Sequence, residues 1–300
     1  MRLALVGLGD IAQKAYLPAV NQHLPVTPVL CTRNRSTLHQ LAERYRISEC
    51  YTDFAELLRS RPDAVMIHSS TESHYALAQA ALAAGIPTFV DKPLSYRLEE
   101  AEHLIALAQA EDTPLFCGFN RRYAPLYQKA LAVPSVSIVY QKHRHNLADE
   151  ARHYVYDDFI HVLDFVRFCS AKSVQNIQVH ACHRAGRLAN VTVAWQHSGT
   201  SCIASMNRIS GQTRERLECS GDNISWQVDN LSQGLQMENN QASPIGFGDW
   251  QETLYKRGFY TMLEAFMQQV KSGRADREYL QGVLHTHRLC EEVLQQIRPE

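Results

Sequence analysis

The chain has 300 residues, of which 45% are hydrophobic and 20% are charged, and this length exceeds the usual size of one domain. Its 30 basic and 31 acidic side chains nearly cancel, so charge gives no reason to expect nucleic acid or an anionic membrane as a partner. The expectation is therefore two domains with separate cores and a small-molecule ligand.

The N-terminal residues show no export signal, because Met1–Gly7 runs directly into a strand pattern without the parts of a signal peptide. No apolar run approaches the roughly 20 residues needed to cross a bilayer. The eight cysteines have no Cys-x-x-Cys spacing, which argues against a disulfide framework and against a zinc site. We predict a cytoplasmic protein with reduced, mostly buried cysteines, no metal and no membrane contact.

The first predicted strand, Leu3–Val6, leads into a glycine-rich turn and a helix that continues through Val20. The turn reads Gly7-Leu8-Gly9-Asp10-Ile11-Ala12. This is the Gly-x-Gly-x-x-Gly/Ala fingerprint of dinucleotide-binding folds, in which the second glycine lets the backbone approach a pyrophosphate. Such turns also occur for purely steric reasons, but the position between strand and helix favours a pyrophosphate site at the helix N-terminus.

A second strand, Thr27–Cys31, is followed by Thr32, Arg33, Asn34 and Arg35, before a helix that Ser36 could cap. An acidic residue at this point would bind the ribose 2′-hydroxyl of NAD, and none is present. Arg33, with Arg35 as a second candidate, could instead pair with a 2′-phosphate, which favours NADP over NAD. The alternative is that both arginines lie on a solvated loop.

The next strand, Asp63–His68, ends in three hydroxyl side chains, Ser69, Ser70 and Thr71. An alanine-rich helix closed by Gly85 follows. The hydroxyl groups could bind ribose or phosphate, but capping of the helix explains them equally well. Both interpretations stay open.

The strand Thr88–Val90 ends in Asp91-Lys92-Pro93, and a helix at Leu98–Ala110 and a strand at Leu115–Cys117 follow. Ligands of open parallel sheets bind beyond the carboxyl ends of strands, which is where this places Lys92. Strand and helix alternate five times, so residues 1–119 are predicted to form a doubly wound parallel Rossmann domain.

Beyond this point, five strand-like runs follow one another with little helix between them, which is typical of a largely antiparallel sheet. They are Val136–Lys142, Asn176–Ala181, Val191–Gln196, Ser201–Asn207 and Glu215–Cys219. The polar stretch Asn230–Ser243 is predicted to be a long loop, and helices at about Tyr255–Val270 and Glu278–Gln296 close the chain. The predicted fold class is α/β followed by α+β. Residues 120–300 form the substrate-binding and oligomerisation domain, and its last helix is a candidate to pack back on the first domain.

One predicted helix of the second domain, near Tyr156–Phe168, has a polar face. At about 100° per residue, Asp157, His161 and Asp164 fall within about 60° of one another. A carboxylate one turn from an imidazole can raise its basicity, as a general base requires. The alternatives are an amphipathic surface helix with an ordinary polar pair and, less favoured, a metal site that no second histidine completes.

Together these residues resemble the glucose-fructose oxidoreductase / inositol dehydrogenase / MocA (Gfo/Idh/MocA) family of NAD(P)-dependent oxidoreductases, above all its branch labelled virulence-factor MviM-like. The matching stretches are Gly7–Ala12, Ser70–His74, Ala84–Pro93, Gly118–Arg122 and Asp157–Asp164. With the residues argued above, the predicted cofactor contacts are Gly7, Leu8, Gly9, Asp10, Ile11, Thr32, Arg33, Ser69, Ser70, His74, Asp91 and Lys92.

The resemblance implies further roles. Lys92 would lie by the nicotinamide and the substrate, before a proline bond that family members can hold in cis. Asp157 and His161 would transfer protons, while Arg122 and Asp164 would contact the substrate. The resemblance also implies a homodimer or dimer of dimers, formed through the second-domain sheet.

Two departures from the family pattern affect the expected function, since Asp91 replaces the usual glutamate and Phe159 replaces the motif glycine, which predicts a bulkier site entrance. We expect reversible oxidation of a secondary alcohol on a sugar or polyol, with His161 as base and Lys92 stabilising the alkoxide. The alternative is a non-catalytic NADP-binding sensor on the same fold. The loss of the motif glycine favours this alternative.

Overall fold

The computed structural model describes residues 1–132, 134–170 and 174–298. Two compact units make up the chain. The first comprises Met1–Gly118 and Phe259–Leu284, and the second comprises Phe119–Gly258 and the residues from His285 onward. Among the described residues, no helix combines the length and apolar character needed to cross a membrane.

Helices and strands are numbered separately in chain order. The helices are α1 (Leu17–His23), α2 (Arg35–Tyr45), α3 (Phe54–Arg59), α4 (Thr71–Ala83), α5 (Leu98–Ala110), α6 (Pro125–Leu131), α7 (Ala151–His153), α8 (Ile160–Ser170), α9 (Thr253–Lys256), α10 (Phe259–Ser272) and α11 (Arg277–Gln296). The strands are β1 (Arg2–Val6), β2 (Thr27–Cys31), β3 (Cys50–Tyr51), β4 (Ala64–Ile67), β5 (Thr88–Val90), β6 (Leu115–Cys117), β7 (Ser137–His143), β8 (Gln178–Arg184), β9 (Arg187–His197), β10 (Thr200–Asn207), β11 (Arg214–Ser220), β12 (Ile224–Asp229), β13 (Gln233–Glu238) and β14 (Gln241–Gly246). π-helical turns at Ala12–Tyr16 and Tyr154–Phe159 lead into α1 and α8, and a 3-10 turn spans Asn120–Tyr123.

The first unit is built on a six-stranded parallel sheet with the order β3-β2-β1-β4-β5-β6. β1 pairs in parallel with both β2 and β4, so the strand order reverses between β1 and β4. All four residues of β4 are fully buried, as expected of a strand covered by helices on both faces. The predicted doubly wound sheet is confirmed, and its crevice at the β1–β4 reversal is where such sheets bind ligands.

In the first unit one local prediction is wrong and one pair of elements was missed. The N-cap of α2 is Asn34, whose side chain accepts a hydrogen bond from the Thr37 amide at 3.1 Å, and not Ser36, which lies inside the helix. The pair β3–α3 was not predicted, because a strand of two residues is too short to show any periodicity. Asp53 caps α3 by accepting from the Glu56 amide at 2.8 Å.

The C-terminal residues of the first unit complete its aromatic core. On α10, Phe259 packs edge-on to Tyr16 with ring centroids 5.4 Å apart, and Phe266 packs against Phe89 at 5.4 Å. On α11, the Tyr279 hydroxyl donates to the Cys117 carbonyl at 2.8 Å and accepts from its amide at 3.0 Å. These contacts explain why Phe259–Leu284 belongs to the unit that begins the chain.

The second unit is built on an eight-stranded sheet with the order β14-β13-β12-β11-β7-β10-β9-β8. β7 and β10 pair in parallel, and the other neighbouring pairs are antiparallel. Buried and half-buried residues alternate along β7, so one face of the sheet is packed and the other is more open. The predicted, mostly antiparallel sheet is confirmed.

The predicted loop at Asn230–Ser243 is wrong, because this stretch contains β13 and the beginning of β14. The two strands pair antiparallel around Asn239 and Asn240, which both have positive φ angles, of 51° and 59°. Two adjacent left-handed residues form the turn type that matches the twist of a hairpin. β13 is mostly half-buried and β14 is largely exposed, so neither contains an apolar run that would indicate a strand.

The predicted helix at about Tyr255–Val270 is two helices, α9 and α10, interrupted at Gly258. Gly258 has a φ of +78°, and a Cβ there would lie 2.5 Å from the Asn120 carbonyl oxygen. Only glycine fits such a position without strain.

Candidate active site

The predicted site residues fall in both units. Those from Gly7 to Lys92 belong to the first unit, whereas Arg122, Asp157, His161 and Asp164 belong to the second.

A cavity of about 700 Å³ lies at the carboxyl edge of the parallel sheet, between the loops that follow β1, β2, β3 and β4. Seven of the predicted cofactor residues line it: Gly7, Leu8, Gly9, Thr32, Arg33, Ser69 and Ser70. Other residues line it as well, among them Gln13, Asn34, Thr37, Thr52, Asp53, Phe54, His68 and Ser73. Three of these, Thr52, Asp53 and Phe54, come from the unpredicted β3–α3 segment. His68 had a recognisable signal, as the polar end of an apolar strand.

Glycine is needed at the two fingerprint positions, Gly7 and Gly9, for different reasons. Gly7 has a φ of +82°, and a Cβ there would lie 2.5 Å from the Ser69 amide nitrogen, so the close approach of the β1 and β4 loops requires glycine. Gly9 has no such constraint, since a Cβ there would meet no atom within 4 Å. Gly9 lines the cavity, and the space beside it is the opening that a pyrophosphate needs at a helix N-terminus.

Asp10, Ile11, His74, Asp91 and Lys92 were predicted to contact the cofactor, and none of them is on the wall of this cavity. The Asp10 carboxylate is exposed and lies 2.7 Å from the Lys14 ammonium. Ile11 is 38% exposed. The other three residues form the connection between the cavity and the Lys92 loop.

His74 joins the loop after β4 to the loop that carries Lys92. Its buried ring lies 2.7 Å from the Pro93 carbonyl oxygen through Nδ1 and 3.0 Å from the Ser69 carbonyl oxygen through Nε2. Carbonyl oxygens only accept, so a hydrogen bond at either contact is donated by the ring. The position of Lys92, which precedes a cis bond to Pro93, is therefore tied to the wall of the cavity at Ser69.

Asp91 fixes the same loop from its other side. Its Oδ1 accepts hydrogen bonds from the Tyr16 hydroxyl at 2.8 Å and from the Lys92 amide at 2.9 Å. A Cβ on Gly118 would lie 2.9 Å from that tyrosine oxygen. The side chain of Asp91 therefore has a structural role in this unit, in which it anchors the residue that follows it.

On the adenosine side, Arg33 and Asp53 line the same cavity. Arg33 is exposed, and its cavity position agrees with the predicted contact to a 2′-phosphate. Asp53 places an acid on the wall, but its carboxylate is the N-cap of α3. Arg35 is not on the wall.

In the second unit, the helix with the Asp157–Asp164 pattern is buried, so the alternative of an amphipathic surface helix is wrong. Every residue from Ile160 to Arg167 is buried on α8. Asp157 lies in the π-helical turn before it, where the Ile160 amide bonds back to the Val155 carbonyl five residues earlier. A wider turn changes the angle between successive residues, so the regular spacing assumed between Asp157 and His161 does not hold.

His161 is buried beside a network of ionised side chains. The Nη1 atom of Arg121 lies 3.2 Å from each of the two ring nitrogens. Because a guanidinium cannot accept, it can donate only to the ring nitrogen that carries no proton. Arg121 also binds both carboxylate oxygens of Glu215 at 3.1 Å. Burial opposes ionisation of Glu215, but Arg121 and Lys142 lower the pKa of its carboxyl to about 2.

Arg122 and Asp164 pair with each other. The Arg122 guanidinium binds Asp164 through both Nε, at 2.8 Å, and Nη2, and the Thr286 hydroxyl donates to the same carboxylate at 2.6 Å. Asp164 is 1% exposed and Arg122 4%. These contacts hold α8 to the 3-10 turn and to α11.

Phe159, which replaces the family's glycine, is fully buried and packs against Tyr154 at a centroid distance of 6.4 Å. Its ring fills the core and does not form an entrance, so the prediction of a bulkier entrance is wrong. The neighbouring Asp158 is ion-paired, with both Lys142 and Arg144. These cations keep the pKa of the Asp158 carboxyl well below its usual range although burial opposes this.

The residues of the first unit fit a dinucleotide. The chain leaves open space beside Gly9. Both ring nitrogens of the buried His68, which lines the cavity, lack a hydrogen-bond partner among the described residues. A doubly wound sheet with a glycine-lined cavity at its strand reversal defines a dinucleotide-binding protein.

Comparison with known proteins gives the family. Residues 1–119 match the model described as "Oxidoreductase family, NAD-binding Rossmann fold", and residues 123–240 match "YceM-like, C-terminal domain". The protein YceM of Salmonella typhimurium, which is named as an oxidoreductase, is 32% identical to this chain and the match covers 91% of this chain and 90% of that protein. The chain belongs to the Gfo/Idh/MocA family of oxidoreductases.

Solved structures agree along the whole length. A Gfo/Idh/MocA family oxidoreductase from Vibrio cholerae is 39% identical with a TM-score of 0.94, and the dehydrogenase MviM from Clostridium difficile is 27% identical with a TM-score of 0.93; each match covers 99% of both chains. The predicted resemblance to the family and to MviM is confirmed. The myo-inositol 2-dehydrogenase of Thermotoga maritima is 31% identical over a shorter match, which covers 43% of this chain and 39% of that protein.

Proposed function

We propose that this protein is an NAD(P)-dependent dehydrogenase that oxidises a secondary alcohol, or reduces the ketone, of a sugar or polyol. The observation that carries the proposal is the open space at Gly9 in the cavity of the first unit. The loop after β4 on the cavity wall is joined to the loop of Lys92 by the two contacts of His74. Membership of an oxidoreductase family and the likeness to a myo-inositol 2-dehydrogenase support the reaction and the substrate class.

The bound nicotinamide cofactor would supply hydride transfer to or from the substrate carbon. The chain itself would bind and orient the reactants and move a proton. In the direction of oxidation, His161 accepts the hydroxyl proton and Lys92 stabilises the negative charge that develops on the substrate oxygen. Asp157, in the π-helical turn, takes part in the proton transfer, as the resemblance to the family implies.

We give Arg122 and Asp164 a different part in this proposal. Their mutual ion pair and burial make them the support of α8, the helix that carries His161. A charged pair that is already satisfied gains little by binding a substrate hydroxyl, and breaking it leaves a buried charge without a partner.

NADP is the cofactor we favour. Arg33 lines the cavity, and no ion pair or hydrogen bond involving its guanidinium occurs in the described part of the chain, so it is available to a 2′-phosphate. Asp53 lies on the same wall but is used as a helix cap. The predicted homodimer or dimer of dimers stays a prediction.

The function is tested by a screen of polyols, sugars and sugar acids with NADP⁺ and NAD⁺, followed by the absorbance of the reduced cofactor. With the substrate found, Lys92→Ala and His161→Ala are each expected to lower kcat by about 10²- to 10⁴-fold, the usual effect of losing a proton-transfer group. Matched controls are Lys129→Ala and His180→Ala, which remove exposed side chains of the same types and should change kcat less than twofold.

Full activity of the Lys92→Ala or His161→Ala enzyme would contradict the assigned roles. Tight binding of NADPH without turnover across the whole panel would instead favour the non-catalytic sensor, which needs a cofactor cavity but no proton transfer. Absence of any binding of NADPH or NADH would refute both functions.

A further inference from the structure

In the second unit, Arg121 presents one nitrogen of its guanidinium to the ring of His161, the proposed base. The Nη1 atom lies 3.2 Å from both ring nitrogens. The Cε1 atom stands between these nitrogens, so an atom in the ring plane at this equal distance from both would collide with it. Nη1 therefore lies against the face of the imidazole, where a guanidinium stacks and fixes the plane of a ring.

The guanidinium itself is fixed by its other nitrogens. Nε and Nη2 bind the two carboxylate oxygens of Glu215 at 3.1 Å, and the Tyr140 hydroxyl donates to the same carboxylate. Nη1, the nitrogen that meets the imidazole, also donates to the Asn120 side chain at 3.0 Å. The cation is therefore held between the carboxylate and the ring, with one nitrogen in contact with the ring.

The positive charge of Arg121 acts on His161 across a buried contact. Arg121 is 7% exposed and His161 is 8% exposed, so water and salt screen the interaction weakly. The energy between charges falls with distance, and the carboxylate of Glu215 lies on the far edge of the guanidinium. A cation beside a titrating imidazole disfavours its protonated form. The Arg121–Glu215 pair as a whole therefore favours a neutral ring.

Other charges surround the same helix. Besides Arg121 and Glu215, the titratable and charged groups on α8 and on the elements packed against it are Arg122, Tyr140, Lys142, Asp157, Asp158, Asp164, Arg167 and His287. Asp158 is ion-paired with Lys142, and Asp164 with Arg122. Asp157 lies in the π-helical turn before His161, where an acid would act in the opposite sense to Arg121.

Lys142 shows the influence of Arg121 on a second titrating group. Burial lowers the pKa of the Lys142 ammonium to about 7, while Asp158 opposes this change and Arg121 adds to it. The same guanidinium that opposes the charge on this amine is in direct contact with the imidazole of His161.

We propose that Arg121 is a positioning residue for His161, which holds the imidazole by its face and favours its neutral form, the form that can accept a proton. The inference rests on the proposed function for the role of His161 as the base. Glu215 sets the strength of the effect, because it orients the guanidinium and offsets part of its charge.

The test follows the protonation of His161 by nuclear magnetic resonance as the pH is changed, with its signal assigned by its loss in His161→Gln. The double variant Arg121→Met with Glu215→Gln removes both charges of the pair and leaves no buried charge alone. The pH at which His161 is half protonated should rise by about one unit, a tenfold change in proton affinity. Glu215→Gln alone keeps the cation, so the midpoint should fall.

The matched control is Arg216→Met with Asp229→Asn. This pair also makes a two-nitrogen contact, but Arg216 lies on the more open face of β11, on which buried and half-buried residues alternate. Its removal should leave the His161 midpoint unchanged. A shift as large as that of the double variant would show a general effect of destabilisation and overturn the proposal.

An unchanged or lowered midpoint in the double variant would likewise overturn the proposal. If that protein does not fold, judged by circular dichroism, Glu215→Gln decides, because a raised or unchanged midpoint there has the wrong sign. The titration needs neither substrate nor cofactor, so its result holds whether or not a substrate is turned over. With a substrate, the acid limb of kcat/KM should move in the same direction as the midpoint; absence of turnover across the panel would contradict the proposed function alone.

Discussion

The cavity of the first unit and the surroundings of α8 in the second differ in how they treat polar groups. At the carboxyl edge of the parallel sheet, Gly9 and the neighbouring loops line an open cavity. Around α8 of the second unit, the buried ionic groups of Glu215, Asp158 and Asp164 each bind at least one cation. The first region has room for a ligand, whereas these three carboxylates are already paired within the protein.

This difference indicates which charged residues stabilise the fold and which are available to a cofactor. A buried ion pair contributes little net stability, but the loss of one partner leaves a buried charge that is strongly destabilising. The charges around α8 should therefore affect folding first. The polar groups of the cavity should affect ligand affinity and leave folding nearly unchanged.

The largest expected effect is that of Arg121→Ala in the second unit. The change removes the guanidinium that binds Glu215 at 3.1 Å through two nitrogens and leaves that carboxylate buried, so we expect a loss of about 3–5 kcal/mol of unfolding free energy. Urea unfolding followed by tryptophan fluorescence measures it selectively, because all three tryptophans, Trp195, Trp226 and Trp250, lie in the second unit.

The matched control for this experiment is Arg216→Ala. Arg216 also makes a two-nitrogen contact with a carboxylate, at 2.8 Å to both oxygens of Asp229, but this pair is partly exposed, with 26% and 19% of the side-chain surfaces accessible. Its loss should cost about 1 kcal/mol or less. Equal effects of the two substitutions would remove the distinction drawn between the units.

The reach of sequence reasoning follows the same division. The strands of the first unit were predictable because buried parallel strands are continuous apolar runs, and Thr27–Cys31, Thr88–Val90 and Leu115–Cys117 are found with the predicted bounds. The strands β13 and β14 were missed because β13 is only half-buried and β14 is largely exposed, so neither contains a continuous apolar run. That α10 belongs with the first unit depends on tertiary contacts such as Phe266 with Phe89, which no local pattern contains.

For the site, backbone geometry was easier to predict than side-chain partners. Gly7 must be glycine because of its own φ angle and its neighbour Ser69, and the fingerprint records that requirement in adjacent residues. The hydrogen-bond partners of Asp164, in contrast, are Arg122 and Thr286, which are 42 and 122 residues away in the chain. The same acid could face solvent or a substrate with an identical local sequence.

The next expected effect contrasts two glycines of the cavity. In Gly9→Ala the new methyl group meets no protein atom within 4 Å, so unfolding free energy should change by no more than about 0.5 kcal/mol. The methyl group would occupy the space left for a pyrophosphate, and NADPH affinity should fall by about 10-fold or more, equivalent to about 1.4 kcal/mol. Calorimetric titration and thermal unfolding measure the two quantities.

Gly7→Ala is the comparison variant, because its methyl group would lie 2.5 Å from the Ser69 amide nitrogen at a φ of +82°. It should reduce both stability and NADPH affinity. A Gly9→Ala protein that binds NADPH as tightly as the wild type would show that the open space is not the pyrophosphate site, whatever Gly7→Ala does.

The smallest expected effect concerns the charges on the adenosine side of the cavity. Arg33→Ala removes an exposed cation from the wall, so NADPH affinity should fall about 5- to 10-fold while NADH affinity stays within twofold. The difference should shrink as salt is added, because the contact is solvent-exposed and therefore screened. Titrations of both cofactors at two ionic strengths measure it.

Asp53→Asn supplies the opposite charge change without loss of the α3 cap, because asparagine is as good an N-cap as aspartate. If Arg33 binds a 2′-phosphate, removal of the nearby negative charge leaves NADPH affinity unchanged or raises it. If the carboxylate of Asp53 instead binds the ribose hydroxyls of NAD, the same substitution weakens NADH and Arg33→Ala has no selective effect. The two variants therefore give opposite patterns for the two cofactors, and the cofactor is assigned by which pattern appears.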